Sequence, residues 1–254
     1  MPRSGLGVHL PEWGAVRTAE PPVIGVLGGM GPAATADFYR KIVQATPATR
    51  DQDHLRTMIW SDPSIPDRAT AFLHGGESPV QALIAGARRL EDAGAAFLAV
   101  PCNTAHLFLE PVREAVGIPI LDMVGATMAE LRRNTAPGSR VAVLGTAATR
   151  ASGLYARRLL TEGLVPLEPS AEEQLAVDTA IAEVKRGTEA AGGAALAPVL
   201  AALVAQGAST VIAGCTELPI ACSTLTTTPP VTDPTAALAR ACVAHASAPR
   251  AEMY

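Results

Sequence analysis

Short β-branched or apolar runs alternate with longer stretches rich in Ala, Leu, Arg and Glu along almost the whole chain. This alternation constrains the fold most, because strands separated by helices of a dozen residues or more form βαβ units with parallel strands. The expected fold class is therefore α/β, with parallel sheets flanked by helices. The predicted strands cover residues 23–27, 57–60, 97–100, 118–120, 141–144, 210–213 and 231.

Two helices carry boundary signals of their own. Ser78 followed by Pro79 is typical of an N-cap and a proline at the first helical position, and Gly94 is expected to end the same helix. Asp233 and Pro234 predict the start of a final helix in the same way.

The chain also contains two copies of one plan. The run Ile-Gly-Val-Leu-Gly at residues 24–28 resembles Val-Ala-Val-Leu-Gly at residues 141–145. Likewise, Phe-Leu-Ala-Val-Pro-Cys at residues 97–102 resembles Val-Ile-Ala-Gly-Cys at residues 211–215. Both pairs have nearly the same sequence separation, so we infer two similar lobes, each a parallel sheet flanked by helices. Ligands bind outside the carboxyl ends of strands in such sheets, so the active site is expected in the cleft between the lobes.

Composition narrows the functional class. The chain has 254 residues, of which 48% are hydrophobic and 17% charged, so it is too apolar for intrinsic disorder. Its net charge of -4, without a basic tract, gives no sign of a nucleic-acid partner. Its apolar stretches are shorter than the ~20 residues of a membrane helix, so no membrane partner is expected either.

The N-terminal residues do not share the pattern. Residues 1–21 lack the apolar region of a secretory signal and show no usable period, so they are predicted to form a disordered tail. Without an export signal the protein is expected in the cytoplasm, with its four cysteines reduced.

Cys102 and Cys215 are the residues with the clearest chemical meaning. Each follows a predicted strand and precedes a predicted helix, so each thiol is expected to face the cleft with a pKa lowered below about 8.5. Two such thiols can invert a stereocentre without a cofactor, one removing a proton from carbon while the other returns a proton to the opposite face. Cys222 and Cys242 lie in helical, Ala-rich surroundings and are interpreted as small buried apolar residues.

Polar residues beside the cysteines are candidates for substrate binding. Asn103, Thr104 and Thr216 can hold a carboxylate together with the backbone N–H groups that follow them, although Asn and Thr also cap helices. Met30, in the first loop, and Thr146, in the equivalent loop of the second lobe, are expected to line the cleft.

Two further side chains lie close in sequence to the cysteines. His106, four residues after Cys102, can tune that thiol, bond across the lobe, or simply pack in the core. Glu217, two residues after Cys215, can orient or deprotonate the second thiol.

Four motifs taken together resemble the aspartate racemase branch of the aspartate/glutamate racemase superfamily. The resemblance extends over residues 23–245. The motifs are Gly-Gly-Met-Gly-Pro at residues 28–32 with Ala-Thr at 34–35, Ser-Asp-Pro-Ser-Ile-Pro-Asp-Arg at 61–68, Pro-Cys-Asn-Thr-Ala-His at 101–106 and Gly-Cys-Thr-Glu at 214–217.

The resemblance implies an amino-acid racemase that uses no PLP or other cofactor and forms a homodimer. It implies that Cys102 and Cys215 are the catalytic acid/bases and that Arg68 and Lys185 bind the substrate. It also implies that the first lobe covers residues 22–122 and regains the C-terminal segment 232–254, while the second lobe covers residues 123–231.

The two cations suit a dicarboxylic amino acid. Arg68 offers a planar bidentate fork and Lys185 a compact charge, and a cation on the α-carboxylate also stabilises the carbanion that forms beside it. The expected substrate is aspartate, with glutamate as the nearest alternative. Asp62 places an extra acid near Arg68. If its carboxylate points into the site, a neutral or basic side chain on the substrate is favoured.

Three other functional classes fit parts of the sequence. Residues 29–34 match the pattern G-x-G-x-x-A of dinucleotide enzymes, but Asp62 lies farther along the chain than such an acid usually does. Cys102, His106 and Cys215 could form a metal site, although no zinc-binding frame is present. A non-catalytic amino-acid-binding protein would need Arg68 but not both thiols.

Overall fold

Two parallel sheets form the framework of the structure, a computed structural model that describes residues 21–226 and 228–248. The predicted tail at residues 1–21 lies, apart from Pro21, outside the described residues. The strands are β1 (Ile24–Gly28), β2 (Thr57–Ser61), β3 (Phe97–Ala99), β4 (Arg140–Gly145), β5 (Val165–Leu167), β6 (Ala208–Gly214) and β7 (Val231–Thr232).

Helices connect and cover these strands. Short 3₁₀ helices lie at Asp51–Asp53 and Thr104–Phe108. The α-helices are α1 (Pro32–Ala45), α2 (Arg68–His74), α3 (Val80–Asp92), α4 (Glu110–Ala115), α5 (Met123–Asn134), α6 (Ala147–Ala151), α7 (Ala156–Thr161), α8 (Ala171–Lys185), α9 (Glu189–Ala205), α10 (Leu218–Ser223) and α11 (Pro234–Ser247).

The first sheet has the order β2-β1-β3, and all its strands run parallel. Every residue of β1 is buried, as expected for a strand covered on both faces. Ile24 and Val26 pack against Phe38 of α1 and Leu238 of α11, whereas Leu27 belongs to the opposite core with Leu83 of α3.

The second sheet has the order β5-β4-β6-β7, again parallel throughout. One face of β4, through Ala142 and Leu144, packs against α8 and α9. The other face, through Val141 and Val143, packs with side chains of α5 and α7. The two sheets flanked by helices confirm the predicted fold class.

The chain passes between the two sheets at α5 and at α11. In α5, Met123 belongs to the core of the first sheet, while Met128 and Leu131 belong to that of the second. Strand β7 pairs with β6 in the second sheet, and α11, which follows it directly, packs on the first. The exact limits of the two lobes stay a prediction.

Two predicted details of the sheets differ from the structure. Residues 118–120 do not form a strand, because only Ile120 bridges to Leu98. The sequence prediction also missed β5, whose central residue is Pro166. Proline has no N–H to donate, which is tolerated here because β5 is an edge strand.

The predicted start of α11 and the predicted end of α3 are confirmed, but α3 begins one residue later than predicted. Pro79 rather than Ser78 is its N-cap and Val80 its first residue, and Gly94 with φ 97° follows its end. The Asp233 side chain caps α11 by accepting hydrogen bonds from the backbone N–H groups of Thr235 (2.9 Å) and Ala236 (3.2 Å). Among the helices of the described ranges, none combines the length and apolar character needed to cross a bilayer.

Asp233 also takes part in an ion-pair network that joins α1 to α11. Lys41 Nζ lies 2.5 Å from Asp233 Oδ2 and 2.5 Å from Asp37 Oδ2, and it donates to Thr235 Oγ1 at 2.7 Å. The Lys41 and Asp233 side chains are only 11% and 18% exposed, so loss of one charge leaves the other poorly solvated.

We expect Asp233→Ala to lower the free energy of unfolding by about 2–4 kcal/mol, because it removes a helix N-cap and one partner of this network. Asp233→Asn keeps an oxygen for the cap and should lose less. Urea unfolding followed by circular dichroism measures both variants. The control is Asp53→Ala in the exposed Arg50–Asp53 pair, which should not change stability. An Asp233→Ala variant as stable as this control would contradict the role.

Candidate active site

Loops that follow strands of both sheets meet at one cavity of about 60 Å³. Its volume suits a ligand far smaller than a drug-sized molecule. All nine residues predicted to form the site line it. The lining residues are Met30, Asp67, Arg68, Ala69, Cys102, Asn103, Thr104, Thr146, Lys185, Cys215, Thr216 and Glu217.

The first loop owes its shape to Gly29. This residue has φ 91°, and a Cβ there would lie 2.3 Å from the backbone nitrogen of Asp62. Only glycine allows the loops after β1 and β2 to approach so closely. Gly29 N–H also donates to Thr35 Oγ1 at 2.8 Å, which fixes the turn into α1 and places Met30 on the cavity.

Cys102 is buried just beyond the end of β3, with 6% of its surface exposed. Burial raises the pKa of its thiol, while the positive charge of Arg68 and the backbone N–H of Ala105 act in the opposite direction. The sequence prediction of a lowered pKa is therefore wrong. The reason is structural, because the helix after Cys102 is a short 3₁₀ turn whose dipole does not offset the loss of solvent.

Cys215 has a different environment at the end of β6. Its Sγ donates a hydrogen bond to Glu217 Oε2 at 3.0 Å. Burial, and after it the negative charge of Glu217, raises the pKa of the Cys215 thiol well above its ordinary value, while Lys185 acts to lower it. The predicted lowering of the pKa is wrong here as well, since α10 begins only at Leu218.

Two cations line the cavity, and each acts to lower the pKa of one thiol, Arg68 that of Cys102 and Lys185 that of Cys215. Arg68 is the first residue of α2, and its Nη1 donates to the carbonyl oxygens of Ile65 and Pro66, both at 3.1 Å. Its buried Nε has no hydrogen-bond partner among the described residues. Lys185 ends α8. The cavity thus holds a guanidinium with an unused donor.

Threonine hydroxyls link the two halves of the cavity. Thr104 Oγ1, after β3, lies 3.2 Å from Thr146 Oγ1 and 3.1 Å from Thr149 Oγ1, both after β4. Thr146 and Thr149 are themselves 3.1 Å apart, which closes a triangle of hydroxyl groups.

Asn103 makes a second link between the halves. Its Oδ1 accepts a hydrogen bond from the Tyr155 hydroxyl group. Its Nδ2 is buried and has no partner within the described ranges, so an amide donor is left for a ligand. Sequence reasoning missed Tyr155, which no motif marks, and Thr149, although Thr146 three residues before it was predicted to line the cleft. Asp67, which caps α2 through Thr70 N–H at 2.7 Å, lay within a recognised motif but was given no role.

His106 joins the Cys102 backbone to the first residue of α5 through hydrogen bonds of its two ring nitrogens. Its Nδ1 lies 2.9 Å from the Cys102 carbonyl oxygen, and its Nε2 accepts from the Met123 N–H at 3.3 Å. This pair of contacts requires a neutral ring with the proton on Nδ1. Burial lowers the pKa of His106, in agreement with that state.

Asp62 does not line the cavity. Its Oδ1 accepts from the backbone N–H (2.9 Å) and hydroxyl (2.6 Å) of Ser64, and these hydrogen bonds lower the pKa of its carboxyl group. The extra acid therefore stays ionised outside the cavity. The carboxylates that do reach the cavity belong to Asp67 and Glu217.

Comparisons with known proteins agree with this geometry. The family model Asp/Glu/Hydantoin racemase matches residues 27–242. The chain belongs to this racemase family. It is an isomerase, an amino-acid racemase. The resemblance seen in the sequence is confirmed, and the family favours a racemase over the dinucleotide and non-catalytic alternatives.

Three relatives show how similar the chain is to known proteins. The broad specificity amino-acid racemase RacX of Bacillus subtilis (strain 168) is 32% identical over 225 residues, which are 87% of this chain and 96% of that protein. The Picrophilus torridus aspartate racemase structure is 32% identical with a TM-score of 0.79, covering 89% of this chain and 94% of that one. An aspartate racemase homologue from Pyrococcus horikoshii OT3 is 26% identical with a TM-score of 0.70, covering 89% and 100%.

The metal alternative finds no support in the geometry. Within residues 21–226 and 228–248, no three His, Cys, Asp or Glu side chains gather into a group that could hold a metal ion. His106, the proposed imidazole ligand, uses both ring nitrogens in hydrogen bonds to backbone groups.

His106 makes stability depend on pH. Because its pKa is lowered in the native state, its contribution is fully present above about pH 6.5 and is lost as the pH falls further. We expect stability to decrease by up to about 1.4 kcal/mol per pH unit from this group. In His106→Gln that part of the decrease should vanish. Urea unfolding at about pH 7.5 and about pH 5.5 tests this.

The control for this prediction is the same substitution, His74→Gln, at a histidine on the exposed end of α2. Equal pH dependence in wild type and His106→Gln would show that His106 is not the responsible group.

Proposed function

We propose that the protein interconverts L- and D-aspartate without a cofactor, with Cys102 and Cys215 as opposed acid/bases. One observation carries this proposal. Two thiols from equivalent strand ends of two similar sheets line the same small cavity as Arg68 and Lys185.

The proposed reaction balances protons over the two cysteines. One cysteine, as thiolate, takes the α-proton and becomes a thiol. The electron pair left behind is delocalised onto the α-carboxylate, where a cation stabilises it. The other cysteine, as thiol, gives its proton to the opposite face of the α-carbon and becomes a thiolate. Exchange of protons with solvent then resets the pair.

Residues that surround the thiols supply the binding groups. Arg68 has a buried Nε without a partner in the described chain, and Asn103 has a buried Nδ2 in the same condition. These donors suit carboxylate oxygens. We assign Met30, Thr104, Thr146 and Thr216 to the wall that surrounds the substrate.

Aspartate is preferred in this proposal because two cations line a cavity of only about 60 Å³. One extra methylene costs about 1–3 kcal/mol when a pocket does not fit it, so glutamate should be a slower substrate rather than an excluded one. Racemisation of another amino acid is the alternative, since Asp67 and Glu217 offset the two positive charges and the Bacillus subtilis relative has broad specificity.

The cellular setting forms part of the proposal. Thiols that exchange protons must stay reduced, which fits the cytoplasm. In keeping with the resemblance, we expect a homodimer, which light scattering on the purified protein would show. The expected partner is a small amino acid, with neither nucleic acid nor a membrane involved.

The decisive experiment is α-proton exchange in D₂O. The reduced protein, without added PLP or metal, is incubated with each enantiomer of aspartate, glutamate and a panel of other amino acids. NMR follows loss of the α-proton and chiral chromatography follows inversion. We expect both with aspartate. No exchange on any amino acid, with the thiols shown to be reduced, would sink the proposal.

Single cysteine variants test the two-base mechanism. Cys102→Ser and Cys215→Ser should each lower racemisation at least about 100-fold, because an acid/base group is lost. Each retained thiol can still exchange the α-proton of the enantiomer that faces it, so residual exchange should favour opposite enantiomers. The control is Cys222→Ser, at a free thiol outside the cavity. Racemisation at the wild-type rate in either single variant would contradict the mechanism.

Arg68→Lys tests the binding role. It keeps the charge but loses the planar fork, so kcat/KM for aspartate should fall about 10- to 100-fold, mainly through KM. Arg89→Lys, at an exposed arginine that stacks on Trp60, is the matched control and should change neither constant. Unchanged kinetics in Arg68→Lys would remove Arg68 from the site.

A further inference from the structure

Glu217 is a buried carboxylate beside a catalytic thiol. Only 2% of its surface is exposed. Its Oε2 accepts hydrogen bonds from Cys215 Sγ at 3.0 Å and from Thr216 Oγ1 at 3.2 Å. In the described part of the chain, no lysine or arginine forms an ion pair with it. Its hydrogen-bond partners are therefore the two side chains that precede it.

The loop after β1 leaves space for this carboxylate. A Cβ at residue 31 would lie 3.3 Å from Glu217 Oε1, a tight approach that the glycine avoids. The loop after β1 in the first sheet thus lies next to the Glu217 side chain, which follows β6 in the second sheet. Glu217 is therefore hydrogen-bonded by the residues after β6 and lies close to the loop after β1.

The two cysteines are consequently not equivalent. A carboxylate that accepts the S–H bond favours the neutral thiol, because ionisation would place two negative charges side by side. Cys102 makes no hydrogen bond to Glu217, and the guanidinium of Arg68 and the backbone N–H of Ala105 favour its thiolate more than the charge of Glu217 disfavours it. Burial opposes ionisation at both positions, so these neighbours decide which thiol loses its proton first.

We propose that Glu217 is a positioning residue that holds the proton on Cys215, so that the resting enzyme presents Cys215 as proton donor and Cys102 as the first proton acceptor. The assignment deepens the proposed racemase function and rests on it. It gives the two-thiol cavity a defined starting state, in which one thiolate forms beside Arg68 and one thiol stays beside Glu217.

The test follows each thiol separately. The reduced full-length protein is treated with iodoacetamide between about pH 6 and pH 10, and peptide mass spectrometry measures the alkylation rate at Cys102 and at Cys215. In wild type we expect Cys102 to react at lower pH than Cys215. In Glu217→Gln the apparent pKa of Cys215 should fall by at least about one unit, which is about tenfold faster alkylation near neutral pH.

Two further variants separate charge from structure. Asp67→Asn removes another carboxylate that lines the cavity without a hydrogen bond to Cys215, so alkylation of Cys215 should stay within about twofold of wild type. Glu217→Asp keeps the charge but withdraws it from Sγ, and should shift the Cys215 profile in the same direction as Gln by a smaller amount. This variant decides the question if Glu217→Gln does not fold.

Several outcomes would overturn the assignment. They are an unchanged or raised apparent pKa of Cys215 in the folded Gln variant, an equal acceleration at Cys102 and Cys215, and an Asp67→Asn effect as large as that of Glu217→Gln. The readout does not depend on turnover. A wild-type protein that racemises nothing but shows the predicted Cys215 shift would sink the proposed function and leave the role of Glu217 intact.

Discussion

Parallel strands that are covered on both faces leave only their ends for chemistry. In this protein β1 and the central part of β4 are buried on both sides, so polar side chains have no place along the strands themselves. The reactive residues follow the last strand residues instead. Two sheets that contribute their carboxyl ends to one cavity bring together the loops after five strands, β1, β2, β3, β4 and β6. Helices α5 and α11, at which the chain passes between the two sheets, connect the two halves that form this cavity.

Electrostatics inside the cavity follows from its exclusion of water. Burial by itself disfavours a thiolate. A long helix whose N-terminus points at the sulfur would stabilise the thiolate, but only short helices follow the two cysteines. Single charged neighbours take over that task. At Cys102 the positive charge of Arg68 lowers the thiol pKa and outweighs the opposing charge of Glu217. At Cys215, in contrast, the charge of Glu217 raises the pKa more than Lys185 lowers it. The cavity is nearly balanced in charge, which lets it admit an ionic substrate without a large uncompensated field.

The sequence was a good guide wherever a local pattern has one structural meaning. The alternation of strands and helices, the Asp-Pro start of α11 and the duplicated strand–cysteine runs all predicted what the structure contains. It failed where the answer depends on partners that are distant in sequence. Pro166 concealed β5 because a proline is tolerated only once the strand is known to lie at an edge.

The same limit applies to the site. Motifs located the residues that line the cavity, but the pKa shifts of the cysteines depend on burial, which no motif records. Tyr155 and Thr149 became visible only once the two halves were assembled. Asp62 illustrates the opposite error, because its position in the sequence beside Arg68 suggested an influence that its bonds to Ser64 remove.

The threonine triangle has a consequence for how a ligand enters. Each of the three hydroxyl groups has one proton to donate, and the three hydrogen bonds of the triangle use all three protons, in either direction around the triangle. The closed ring therefore has no donor left over. If the hydroxyl group of Thr104 or Thr146 is to donate a hydrogen bond to a substrate carboxylate, it must turn away from its neighbour in the triangle. One of the three hydrogen bonds between the threonines is then lost. Two of these three hydrogen bonds join Thr104 in the first half of the molecule to the second half. Binding of a substrate in the cavity and the stability of the contact between the two halves are therefore thermodynamically linked.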